Sequence, residues 1–247
     1  MSARLYGVPA SHPVAAVEKA LQLKGIDYRR TDLVPVFHKL AQRLRFGGST
    51  VPGLVLADGR KVLGTKAILR ALDEEVAEPR LLPQDPEARR RVEEAEEWGD
   101  RVLQSLVRRV LWTALGNKPA AQLSYAAGVK LVPPVPAPMA KLSTGGVAWA
   151  EKKIHGAREA GVKADLADLP RHLDRVDGWL EQGVLGKDVL NAADLQIASS
   201  LRILLTLEDL APLIDARQAG AYARRVFPQY PGTTPAGALP PDWVPAT

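Results

Sequence analysis

The 247-residue chain has no cysteine. That absence removes disulfides, cysteine nucleophiles and thiolate metal sites together, and it suits a cytoplasmic protein. Nowhere does an apolar run reach the roughly 18 residues that a membrane-spanning helix needs, so no membrane association is expected. Met1 to Tyr6 lead directly into a strand pattern with no apolar signal core. The phosphate-cradling patterns Gly-x-Gly-x-x-Gly and Gly-x4-Gly-Lys-Ser/Thr are missing, as is the Gly-x-Ser-x-Gly nucleophile turn. The four histidines, His12, His38, His155 and His172, show no ligand spacing, and without cysteine no metal site is expected. Aromatic residues make up only 5% of the chain and do not interleave with its basic residues, which argues against nucleic acid as a partner.

What is present suffices for a packed core. The length suggests one large or two modest domains. The net charge of +5 sits entirely in residues 1–76, which hold 12 Lys/Arg against 7 Asp/Glu, while the remainder balances at 21 of each. A basic first segment favours a small anionic ligand. The run Arg89-Arg90-Arg91 is followed at once by acidic residues at i,i+3 and i,i+4 spacing, which makes it a self-paired, solvated helix face.

The most telling run is Gly48-Ser49-Thr50-Val51-Pro52-Gly53-Leu54-Val55-Leu56, then Ala57-Asp58-Gly59-Arg60 and Lys61-Val62-Leu63. Asp-Gly between apolar runs predicts a hairpin with both turn residues at positive φ. Pro52 lacks an N–H, so it marks the start of a strand; after two glycines it is a candidate for a cis bond, trans being the alternative. A cis bond there would leave the Val51 backbone free to pair with an extended ligand.

Arg4–Val8 reads as a first strand. A helix follows with Val14, Val17 and Leu21 on one face and Gly25 at its end. Asp27–Leu33 reads as a second strand, Pro35–Phe46 as irregular or helical, and Thr65 to about Glu75 as a helix after the hairpin. This β-α-β-α-β-β-α order is a thioredoxin-like arrangement over residues 1–76. Prolines 79, 83 and 86 mark residues 77–86 as a linker, with Asp85-Pro86 opening a long helix to about Leu115. Its core positions are Val92, Ala95, Leu103, Leu106 and Val110. The segment 116–139, proline-rich from Val132 to Pro138, reads as a loop rather than a structured cover over a cleft. Helical patterns return at 146–160, 165–183, 191–206 and 211–226, so 87–227 forms an all-α half. Residues 228–247, with six prolines, are expected to be extended over the surface or disordered.

A thioredoxin-like α/β half with a Val-Pro strand start, joined through a Pro-rich linker to an all-helical half, resembles the glutathione S-transferase family, specifically its serine-type, poorly characterised bacterial members. The resemblance spans roughly residues 4–226. Val51-Pro52-Gly53-Leu54 resembles the family's Val-Pro-x-Leu run, in which the residue before the proline pairs with the cysteinyl backbone of glutathione. Phe37-His38-Lys39 resembles the family's Glu-His-Lys segment, whose basic side chains hold the glycyl carboxylate; a solvated loop pair is the alternative. Gly64-Thr65 stands where similar proteins carry a Glu/Gln-Ser pair gripping the γ-glutamyl end. The hydroxyl and helix amides survive here and the acidic or amide side chain does not. Asn191-Ala192-Ala193-Asp194 resembles the family's buried capping box and is structural.

By the same resemblance Ser11, between the first strand and first helix, is the candidate catalytic residue. A hydroxyl there can donate to a thiolate, and the helix N-terminus adds about half a positive charge. Lowering a thiol pKa by two units takes roughly 2.7 kcal/mol, within reach of those two effects. The alternative is that Ser11 only caps the helix. Tyr6 is a second candidate, but its place inside the strand pattern assigns it to the core. Arg101, Gln104 and Arg108 on the long helix are candidate contacts to a hydrophobic electrophile, whereas Trp98 and Leu103 read as core. The resemblance thus implies a homodimeric transferase that binds glutathione or a related thiol as co-substrate and directs its thiolate onto an electrophile. A non-catalytic ligand-binding or protein-interaction module with a weakened thiol site is the alternative. A thiol-dependent reductase is opposed by the missing cysteine, because no mixed disulfide with the protein can form.

Overall fold

A computed structural model describes residues 2–245. The N-terminal part runs β1 (Ala3–Gly7), α1 (His12–Leu23), β2 (Tyr28–Leu33), α2 (His38–Phe46), β3 (Gly53–Val55), β4 (Lys61–Leu63) and α3 (Thr65–Glu75). The rest is mostly helical: α4 (Pro86–Trp98), a π-helical stretch Gly99–Leu103, α5 (Gln104–Asn117), α6 (Gln122–Tyr125), a short strand β5 (Leu131–Val132), α7 (Ala137–Ile154), α8 (Glu159–Glu181), α9 (Ala192–Leu204), α10 (Ala211–Asp215) and α11 (Gln218–Val226). This is a thioredoxin-like sheet-and-helix domain followed by a helical remainder.

The sheet has the order β4-β3-β1-β2-β5. β1 and β2 are parallel, β3 and β4 run antiparallel, and β5 adds in parallel to β2 through Asp32–Leu131 and Leu33–Val132. β5 comes from the proline-rich segment expected to be a loop. Two residues are too few to write an alternating pattern, and an edge strand tolerates the prolines beside it. α7 likewise begins at Ala137, nine residues before its helical pattern suggested. Pro138 lies in its first turn, where the missing N–H has no partner to lose.

The hairpin turn also differs from expectation. Gly59 N–H donates to Leu56 O (3.0 Å) and Leu56 N–H to Arg60 O (2.9 Å), and only Gly59 has positive φ, at 94°. Asp58 therefore occupies ordinary helical space, and a type I turn with a left-handed glycine replaces the doubly left-handed turn. Asp58 accepts from the Arg60 N–H (2.8 Å), a side-chain bond that favours this form.

Val14, Val17 and Leu21 of α1 are fully buried against Leu5 and Leu54 of the sheet, as the periodicity predicts. The other side of α1 meets α9, in which every residue from Ala192 to Leu204 is buried. A helix buried all round needs firm end anchors. Asn191 Oδ1 accepts from Asp194 N–H (3.0 Å) and Asp194 Oδ2 from Asn191 N–H (2.9 Å), closing the predicted capping box. Asp194 also accepts from Gly186 N–H (2.7 Å) and Tyr222 O–H (2.8 Å). At the junction of α3 and α4, Arg70 forks onto the fully buried Glu96, its Nη1 lying 2.6 Å from the carboxylate. The long helix is continuous from α4 to α5 through the π-helical stretch, and Val92, Ala95, Trp98, Leu103, Leu106 and Val110 are all core.

The tail is anchored. Thr234 bridges Leu207, its hydroxyl and that of Thr206 both meet Tyr125 Oη (2.8 and 2.7 Å), and Asp209 accepts from the N–H groups of Gly237, Ala238 and Leu239. Thr234, Ala238 and Leu239 are buried. Its prolines leave the segment only an isolated bridge at Thr234 and a 3-10 turn at Pro241–Trp243, and the contacts to Tyr125 and Asp209 fix it. Residues 246–247 of the predicted tail lie outside the described residues.

Candidate functional site

Between the sheet and the helical layer lies a cavity of about 380 Å³, a size suited to a small organic ligand. One wall comes from the loops at the C-terminal ends of β1 and β2 and from Ser49–Val51; the other comes from α5, α6, β5 and α7. Leu131 and Val135 of the proline-rich segment line it, so that segment covers the cleft it was expected to leave open.

Ser11 lies at the lip, at the N-cap position of α1. Its carbonyl accepts from Ala15 N–H (2.9 Å), but its hydroxyl makes no cap bond. Pro13 in the first turn removes one donor that the hydroxyl could have met. The hydroxyl thus stays available to a ligand. Ala10, just before it, holds a left-handed backbone (φ 52°), and its carbonyl accepts from Tyr230 O–H (3.0 Å).

The Val51–Pro52 bond is cis. Val51 lines the cavity and its backbone N–H and C=O have no partner among the described residues, whereas Pro52 O accepts from Gly64 N–H (2.9 Å). Gly64 sits at φ 90°, where a side chain would strain the backbone, and it opens α3 with Thr65 buried behind it. Pro52, Gly64 and Thr65 therefore adjoin the Val51 edge without lining the cavity.

His38 and Lys39 at the start of α2 both line it. Burial lowers the His38 pKa; Glu151 opposes this, and Lys39 and His155 add to it. His38 is thus held toward its neutral form, so Lys39 brings the charge and His38 a polar nitrogen. Of the three residues proposed on the long helix, only Arg108 reaches the cavity. Arg101 projects to solvent and pairs with Glu97, and Gln104 is buried and reaches Asp100 at 3.4 Å. Tyr6 is core, its ring edge-on to Phe46 at 5.8 Å with the Arg45 guanidinium 4.6 Å from its centroid.

The sequence reading missed three polar wall residues. His12 is buried, and Ser200 Oγ gives its proton to Gln196 O (2.9 Å), so Ser200 must accept from His12 Nδ1–H (3.0 Å). That fixes the tautomer and leaves Nε2 without a partner among the described residues. Burial first, and then Arg108 and His155, push its pKa well below the usual histidine range. At the end of α7, Glu151 and the capping His155 meet at 3.2 Å across one turn. Four of these wall residues, His12, His38, Glu151 and His155, are a histidine or carboxylate from three distant segments. No local spacing could have grouped them; only the i,i+4 pair at the end of α7 was visible as a helical neighbour pair. Among the described residues no cluster suited to a metal ion occurs.

Residues 5–80 match the family model described as the N-terminal domain of glutathione S-transferase. Comparison with curated proteins gives no match. Among solved structures, a glutathione S-transferase from Rhodospirillum rubrum F11 shares 22% identity at TM-score 0.64, with 92% of this chain and 88% of that one covered. One from Sinorhizobium meliloti 1021 shares 18% at TM-score 0.63, covering 96% and 97%. One from Methylobacillus flagellatus, solved with glutathione bound, shares 16% at TM-score 0.57, covering 99% and 100%.

Proposed function

We propose that this protein binds glutathione or a related thiol and activates its thiolate for attack on an electrophile: residues 5–80 match the model of the glutathione S-transferase N-terminal domain, and the chain shares the fold of solved glutathione S-transferases. The observation that carries the proposal is the pairing of two unspent groups on one cavity wall: the uncapped Ser11 hydroxyl and the free Val51 backbone. In this reading the Val51 N–H and C=O pair with the cysteinyl backbone, which places the sulfur near Ser11. The hydroxyl donates to the thiolate, and the N-terminus of α1 adds its partial positive charge. Both stabilise the ionised form, and the sulfur then attacks while the thiol proton passes to solvent. Lys39 and His38 meet a terminal carboxylate. The Thr65 hydroxyl and the first amides of α3 meet the amino-acid end. The working unit is a cytoplasmic homodimer.

A second reading, a ligand carrier or interaction module without catalysis, is favoured by Gly64. Its backbone geometry requires glycine, so that position offers the ligand no side chain. Calorimetric titration with reduced glutathione decides between them. Binding between micromolar and low millimolar, weakened by Lys39→Ala and His38→Ala, together with conjugation that falls at least tenfold in Ser11→Ala, is expected of the transferase. Silence at high glutathione concentration favours the second reading, and unchanged turnover in Ser11→Ala removes Ser11 from catalysis.

A further inference from the structure

Arg108 is placed where a structural arginine would not be. Its neighbour Arg109 shows the ordinary arrangement, forking onto Asp165 at 2.6 and 2.7 Å. Arg108 instead lies on the same face of α5 as Leu111, Trp112 and Leu115, at i,i+3,i+4,i+7 spacing, and this stripe lines the cavity. Among the described residues it makes no hydrogen bond and no ion pair. Asp100 and Glu151 act on it only at a distance, and the nearest acid on the wall, Glu151, is engaged by His155. Withdrawal from water disfavours its charged form, and Asp100 and Glu151 offset that cost only from a distance, without a direct pair. A guanidinium held in an apolar wall with all its donors free is a receptor for a planar oxyanion.

We propose that the second substrate is an amphipathic organic acid: an apolar, electrophilic body against Leu111, Trp112 and Leu115, with a carboxylate or sulfonate on Arg108. This rests on the transferase reading and names the substrate class of that site. The groups assigned to the thiol, Ser11, Val51, His38 and Lys39, come from the sheet layer, which leaves Arg108 and its apolar stripe to the other reactant. In an aromatic substitution the thiolate sulfur forms the C–S bond, the C–Cl bond breaks, and chloride leaves with the electron pair.

The test uses the full chain and two probes that differ in charge alone, 4-chloro-3-nitrobenzoate and 4-chloro-3-nitrobenzamide. Their binding is followed by quenching of tryptophan fluorescence, with and without saturating glutathione. The wild type is expected to bind the benzoate at least fivefold tighter. Arg108→Gln should bring the two within twofold, Arg108→Lys should keep part of the preference, and Arg108→Gln should melt no lower than wild type. Equal binding of both probes by the wild type overturns the proposal with no variant needed. So does a preference that survives Arg108→Gln, or one that disappears when glutathione saturates the protein, which would assign Arg108 to the thiol's own carboxylate. A charge preference that persists while no glutathione binds and no conjugate forms would uphold the acid site and overturn the transferase reading, so the two are separable.

Discussion

Replacing Arg70 with methionine isolates the energetics of the α3–α4 junction. Glu96 is fully buried, Arg70 is half-buried with its side chain 28% exposed, and the two form a forked, doubly hydrogen-bonded pair. Burial already raises the Glu96 pKa against the pull of Arg70 and Lys66. Without the guanidinium the carboxylate has two options. Remaining ionised in the core costs about 3–5 kcal/mol. Taking up a proton at pH 7 costs about 1.36 kcal/mol for each unit above an ordinary glutamate pKa of about 4.3, or about 3.7 kcal/mol. The cheaper route sets the ceiling, and the wild-type pair has already yielded part of it to burial, so a loss of about 3 kcal/mol is expected. The sign of the pH dependence follows. A folded-state pKa raised above the unfolded one leaves the variant intact at low pH and weakens it as pH rises. The loss should therefore shrink to about 1 kcal/mol near pH 5. Urea unfolding of both proteins at pH 7 and pH 5, read by circular dichroism, measures this. Adding Glu96→Leu should recover most of the stability. A loss below 1 kcal/mol at pH 7, or one that grows on acidification, would refute the reasoning.

Three further outcomes are expected. Asp194→Ala strips acceptors from Asn191 N–H, Gly186 N–H and Tyr222 O–H inside the core, and should lower stability by about 3 kcal/mol in denaturant titrations, with Asp194→Asn intermediate. His12 has a folded pKa below its unfolded value, so the stability it contributes is complete above about pH 6.5 and is lost below it, by up to about 1.4 kcal/mol per pH unit. His12→Asn should flatten the stability curve between pH 6.5 and 5. At Gly232 (φ 91°) a Cβ would fall 2.2 Å from the Tyr125 ring, so Gly232→Ala should displace the tail, and proteolysis after Phe227 should accelerate.

Much of the frame was legible because it is written in local pattern. The α1 stripe of Val14, Val17 and Leu21, the Val-Pro strand start and the Asn191–Asp194 spacing each express a physical need within a few residues. The place of Ser11, in the turn from the first strand to the first helix N-terminus, was legible in the same way. What stayed hidden depends on distant segments. β5 exists only because β2 offers it an edge, and the tail is ordered because Asp209 and Tyr125 wait for it. Arg101, Gln104 and Arg108 looked alike in sequence. The π-helical stretch and the rotation of α5 send only the last into the cavity.

The bond from Tyr230 to Ala10 carries a consequence for how the site comes into being. Ala10 must hold a left-handed turn beside Ser11, and the hydroxyl that fixes its carbonyl lies 220 residues later. The backbone beside Ser11 is therefore set by a long-range tie and not by its own neighbours alone, so a change at Tyr230, far away in sequence, reaches the mouth of the cavity through a single hydrogen bond.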